Sequence, residues 1–88
     1  MSSVFVLDID DFRPLAEAAS ANPDVSVHRR GPYLELRADV GYDIDRNATG
    51  CRNAIWYSSV AAVDRARITV WDRTVMHVEP FERTDAPR

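Results

Sequence analysis

The most regular feature of the chain is a strict alternation. From Leu34 to Ile44 every even position is apolar (Leu34, Leu36, Ala38, Val40, Tyr42, Ile44), while Glu35, Arg37, Asp39, Gly41, Asp43 and Asp45 occupy the odd ones. A period of two puts one set on the buried face of a sheet and the other in water. At about 3.3 Å per residue such a strand would run about 40 Å, longer than a small sheet pairs along, so it is expected to bend near Gly41 or to project. Upstream, residues 4–9 are β-branched and aromatic and read as a first strand, with Phe5, Leu7 and Ile9 on one face and Asp8 and Asp10 on the other. Asp11 suits an N-cap and Pro14 a first helical turn. Phe12, Leu15, Ala16 and Ala19 then recur at the spacing of one buried stripe, which predicts a helix over 11–21. Asn22-Pro23-Asp24 ends it, because proline pushes its predecessor out of the helical region.

Residues 25–30 alternate Val25 and Val27 with Ser26 and His28, and Gly31-Pro32 turns the chain into the long strand. The stretch 46–65 is ambiguous. Ile55, Trp56, Val60 and Val63 have helical spacing, yet Ala54-Ile55-Trp56-Tyr57 would suit a strand; a helix over 51–63 is favoured. Two short strands follow at 67–72 and 74–80, joined by a tight turn near Asp72-Arg73. The polar tail 81–88 is expected to fray. The resulting order, β-α-β-β-α-β-β, predicts one α+β domain over residues 1–80, a sandwich with two helices packed on one face of a small antiparallel or mixed sheet.

Composition narrows the function. A chain of 88 residues, 45% hydrophobic, supports one core and buries roughly 60–65% of its unfolded surface. All 11 basic residues are arginine, and there is one cysteine, so no internal disulfide and no cysteine-based zinc site can form. Asp8, Asp10, Asp11, Glu17 and Asp24 outweigh Arg13 in the first 24 residues, opposite to a face built to neutralise phosphates; nucleic acid is not the expected partner. The N-terminus meets carboxylates too early for a signal or membrane-spanning segment, and a cytoplasmic location with no membrane association is expected.

Candidate chemistry is sparse. Asp8-Ile9-Asp10 and Asp43-Ile44-Asp45 could each share a cation if both carboxylates faced one side of a strand, but their position before helices favours capping. His28 and His77 have no metal-ligand spacing and read as strand residues. Cys51 follows Gly50 near a helix start, where a thiol can be activated, but no base lies near it in sequence, and a small buried thiol is the better reading. No phosphate loop, nucleophile elbow or zinc-protease motif is present. No catalytic set, metal or cofactor is therefore expected.

The order of features resembles a known family. An apolar opening strand, Asp11-Phe12-Arg13-Pro14-Leu15 leading an alanine-rich helix, Asn22-Pro23 closing it, Arg29-Arg30-Gly31, then Tyr33-Leu34-Glu35-Leu36-Arg37-Ala38 and a polar stretch to Asp45-Arg46 resemble the effector (coupling or regulatory) components of soluble bacterial diiron monooxygenases, which act on phenols, toluenes, alkenes and methane. Ser58 to Val63, Ile68, Asp72 and Val75-Met76-His77-Val78 look like the family's last pair of strands. Two departures stand out. The stretch between Arg46 and Ser58 is short, and the Asp64-Arg65 region replaces a glycine usual before the penultimate strand.

The resemblance implies a cofactor-free protein, monomeric when free, that docks on a large diiron hydroxylase and alters oxygen activation, substrate access or electron-transfer timing. The contact surface expected on this chain is Tyr42, Arg46, Asn47, Thr49, Arg52 and Trp56. An alternative is a dimeric ferredoxin-like small-molecule-binding domain or small enzyme, with Trp56, Tyr57 and Trp71 lining a pocket and His28 or His77 as acid or base. A third is a protein-interaction module of the toxin–antitoxin kind.

Overall fold

The computed structural model describes residues 1–81. It is an α+β sandwich of two antiparallel sheets. The first has the order β2-β3-β1-β5, formed by β1 (Ser2–Leu7), β2 (Ser26–Arg30), β3 (Tyr33–Ala38) and β5 (Ala62–Asp64). The second has the order β4-β7-β6, formed by β4 (Tyr42–Asp45), β6 (Ala66–Trp71) and β7 (Val75–Pro80). Helix α1 (Arg13–Ser20) buries Leu15, Ala16 and Ala19 against this core. Two short helices, α2 (Arg46–Thr49) and α3 (Asn53–Tyr57), close one end.

The long alternating strand is divided between the sheets. Leu36 and Ala38 face the core from β3, and Tyr42 and Ile44 face the same core from β4. Between them Asp39, Val40 and Gly41 turn the corner, and Val40 stays 47% exposed. The alternation survives the break because the two sheets enclose one interior, so the same parity points inward on both. Glu35 departs from its expected wet position. It lies opposite Phe5 on the outer face of the first sheet, yet is only 6% exposed.

The first strand is displaced and inverted relative to expectation. It spans Ser2–Leu7, and Val4 and Val6 point into the core while Phe5 and Leu7 are half-buried and Ile9 is exposed. Phe5 instead meets Tyr33 edge-on, ring centroids 6.5 Å apart, as cross-strand neighbours on one face do. Asp11 does not cap α1. Phe12 occupies the N-cap position without a side-chain hydrogen bond, and the entry turn is held by Phe12 and Arg13 amides donating to the Ile9 carbonyl.

The helix expected over 51–63 is restricted to Asn53–Tyr57. Gly50, at φ 69°, caps α2 in the left-handed conformation, which glycine adopts without a Cβ clash. At the far end Ser58 Oγ donates to the Ala54 carbonyl and Ser59 Oγ to the Trp56 carbonyl, so the two serines draw off the helix's last acceptors. Beyond them the β-branched Val60 and Val63 favour an extended chain, and Ala62–Asp64 adds to the edge of β1.

Arg65, between β5 and β6, is the one non-glycine residue at positive φ (54°) among the described residues. It redirects the chain from one sheet to the other at the place where Asp64-Arg65 stands in for a glycine. Its carbonyl accepts the Phe81 amide at 2.8 Å, and the Arg67 guanidinium lies 4.5 Å over the Phe81 ring. Phe81 thus lies against β6; the rest of the expected tail, 82–88, lies outside the described residues.

Candidate partner interface

The six surface residues expected from the sequence fall close together, but three of them face inward. Tyr42 and Thr49 are buried and Trp56 is 0% exposed. Tyr42 is a core side chain of β4, and burial pushes its phenol pKa up to about 12. Thr49 Oγ1 donates to the Arg46 carbonyl at 2.6 Å and accepts from the Cys51 amide at 3.0 Å, joining α2 to the loop that follows. Trp56 Nε1 donates to the Asp72 carbonyl at 2.7 Å, tying α3 to the β6–β7 turn. These side chains build the end of the molecule instead of presenting it, which corrects the expectation that they form its contact surface.

Arg46 is the strap. Its Nε donates to the Cys51 carbonyl at 3.0 Å and its Nη1 to the Arg73 carbonyl at 3.2 Å, and its own amide donates to the Thr74 carbonyl. One guanidinium thus holds α2, the α2–α3 loop and the β6–β7 turn together. Asn47 and Arg52 are exposed. The Asn47 amide is bound by Asp45 Oδ1 at 3.1 Å, an N-cap for α2, so this carboxylate does cap as expected.

The turn has its own lock. Asp72 Oδ1 accepts from the Thr74 amide, the Thr74 hydroxyl and the Val75 amide at 2.8–3.0 Å, and these bonds hold its carboxyl below the usual range. Two residues missed as surface candidates emerge here. Tyr57, next to the buried Trp56, is 44% exposed and packs its ring 6.1 Å from that of half-buried Trp71. Arg73, at the tip of the turn, is exposed. Adjacent aromatics at 56 and 57 fall on different faces, one buried and one exposed, because successive helical side chains are about 100° apart, and nothing local in the sequence says which one faces in.

The other candidates have structural partners. Asp8 and Asp10 both bind Arg13, at 2.7 and 2.5 Å, and the Arg13 hydrogen bond holds Asp8 below its ordinary value. Cys51 sits in the α2–α3 loop, half-buried, and not at a helix start. His28 lies exposed, 3.0 Å from Ser26 Oγ. On the outer face of the second sheet, His77 Nδ1 lies 2.5 Å from Asp43 Oδ1 and its Nε2 lies 2.9 Å from Glu79 Oε2. Only an imidazolium can donate to both, and first Asp43, then Glu79, raise the His77 pKa. The aromatic pocket of the alternative reading does not assemble, since Trp56 belongs to the core and Tyr57 and Trp71 pair at the surface. A groove of about 270 Å³ lies elsewhere, between α1 and the first sheet, lined by Arg13, Ala16, Glu17, Val27 and Leu34 among others. No helix of the described residues is long and apolar enough to cross a membrane.

Fold and site together define a small α+β sandwich with one end cross-braced from three segments and an aromatic pair and arginines on its surface. No family model matches the chain, and no curated protein matches it. Among solved structures, it shares its fold with a chain of a phenol hydroxylase–regulatory protein complex at a TM-score of 0.72, with 20% identity over 89% of this chain and 95% of the other.

Proposed function

We propose that this chain is a cofactor-free effector component of a multicomponent diiron hydroxylase, acting by docking on the hydroxylase without catalysing a reaction itself. The observation that carries the reading is the fold match to a chain from a phenol hydroxylase–regulatory protein complex, which spans nearly the whole of both chains. The sequence resemblance to the effector family points to the same partner class.

Such a protein works through differential affinity. If it binds one conformation of the hydroxylase more tightly than another, it shifts the population by that difference and no more. Oxygen activation, substrate access and electron-transfer timing change as a consequence. On this reading the chain acts in the cytoplasm, monomeric when free, and Asn47 and Arg52 touch the partner, while Arg46, Tyr42, Thr49 and Trp56 hold the contact surface in shape.

The test is reconstitution. On this reading a diiron hydroxylase and a reductase are encoded beside this chain; these are assayed for reductant-driven oxidation of a phenolic or alkyl-aromatic substrate, with and without the purified chain. A saturable change in turnover, regioselectivity or coupling of oxygen to product is expected. Identical kinetics at a saturating amount would remove the assignment.

A further inference from the structure

Resting on that effector reading, we infer that the chain docks through the exposed Tyr57–Trp71 pair flanked by Arg52 and Arg73, and that the matching surface of the partner is an apolar pocket rimmed by carboxylates. Tyr57 is a large side chain left 44% exposed in contact with a second aromatic, the composition of an interface anchor. The Trp71 indole N–H is buried with no acceptor among the described residues, so this pair is not satisfied by the fold alone.

Charge selects the rim. Arg46, Arg52 and Arg73 make no ion pair among the described residues. The nearby acids are already engaged: Asp45 caps α2, and Asp72 accepts three bonds from its own turn. The two exposed guanidiniums consequently keep their donors for carboxylates supplied from outside. The braces described above keep these groups together before any partner arrives. Arg46 ties the backbone at Cys51, beside Arg52, to the backbone at Arg73, and Trp56 ties α3 to Asp72. A preformed surface of this kind loses little conformational freedom on docking.

The experiment measures affinity of the purified hydroxylase for wild-type chain, Tyr57→Ala and Arg73→Glu by titration calorimetry, at low and high salt. Arg73→Glu should melt like the wild type, and Tyr57→Ala should lower Tm by only a few degrees through its lost packing on Trp71, leaving both variants folded. Each variant is expected to weaken binding about tenfold or more, and the wild-type affinity should fall as salt rises. Wild-type binding with both variants unchanged would overturn this surface while leaving the effector reading intact. A wild-type affinity indifferent to salt would overturn the carboxylate rim. Absence of any wild-type binding would remove the effector reading, and this surface with it.

Discussion

The arginines divide the molecule in two. In the half built on the first sheet every one is paired: Arg13 with Asp8 and Asp10, Arg29 with Asp8, and Arg30 and Arg37 with Glu35. In the half built on the second sheet, Arg46, Arg52, Arg65, Arg67 and Arg73 form no ion pair among the described residues. There the acids serve His77, a helix cap and a turn instead. One residue type meets carboxylates in one half; in the other Arg46 binds backbone carbonyls, Arg67 lies over a ring, and Arg52 and Arg73 stand exposed. Composition alone could not separate these roles, because an all-arginine set of cations reads the same wherever its members lie.

The largest effect should come from Trp56, which is the joint of the second half. Trp56→Ala is expected to cost about 3–5 kcal/mol in urea unfolding through lost packing. Trp56→Phe, which removes the bond to the Asp72 carbonyl and part of the ring volume, should cost less, about 1–3 kcal/mol. A small effect of the alanine variant would show that the end is not braced as described. Next comes the paired half. Glu35→Ala strands the Ser3 hydroxyl, 2.5 Å away, and Arg30 and Arg37, and should cost about 1–3 kcal/mol. The same measurement on Arg52→Glu should move stability by less than about 0.5 kcal/mol. Equal effects in the two halves would erase the comparison.

His77 sharpens it through pH. Its folded pKa is raised, so protonation favours the native state: the contribution is full below the unfolded value of about 6.5 and is lost as pH rises through the folded value. The groups facing it are Asp43 from β4 and Glu79 on its own strand, with Val70 opposite it on β6. NMR titration should place its midpoint above 6.5, and His77→Gln should lower Tm more at pH 6 than at pH 9. A midpoint at or below 6.5 would contradict the two-carboxylate geometry. A small effect of the opposite sign is expected at Arg65. Arg65→Gly relieves the left-handed backbone but frees the unfolded chain, for a net gain of about 0.5 kcal/mol in chemical denaturation.

Much of the fold was legible because sheet faces announce themselves. Parity alone assigns six even positions inward from Leu34 to Ile44; Leu36, Ala38, Tyr42 and Ile44 are buried, Leu34 is half-buried, and Val40 is exposed at the corner between sheets. The break between Ala38 and Tyr42 was expected only as a bend, since alternation carries no signal for which sheet a strand joins. The first strand was inverted because Phe5, Leu7 and Ile9 are as apolar as Val4 and Val6, and α1 covers one side only. The site was harder. Arg46, Asn47 and Arg52 lie where the chain order suggested, but Tyr57 and Arg73 depend on contacts between segments 14 to 27 residues apart in sequence, and no local pattern reports those. The Asp64-Arg65 departure from the effector pattern was visible early; its meaning, a turn that glycine would enter without strain, required the backbone.

The division of the strands between sheets also orders the assembly in time. β3 pairs with β1 and β2, all within the first 38 residues, whereas β4 pairs, among the described residues, only with β7, whose partner positions lie 30 to 36 residues further along. During synthesis the first hairpins can settle while Tyr42–Asp45 still waits for its neighbour, and the turn that receives Arg46 and Trp56 emerges near the end. The second sheet therefore carries the slow closure that distant strand pairing brings.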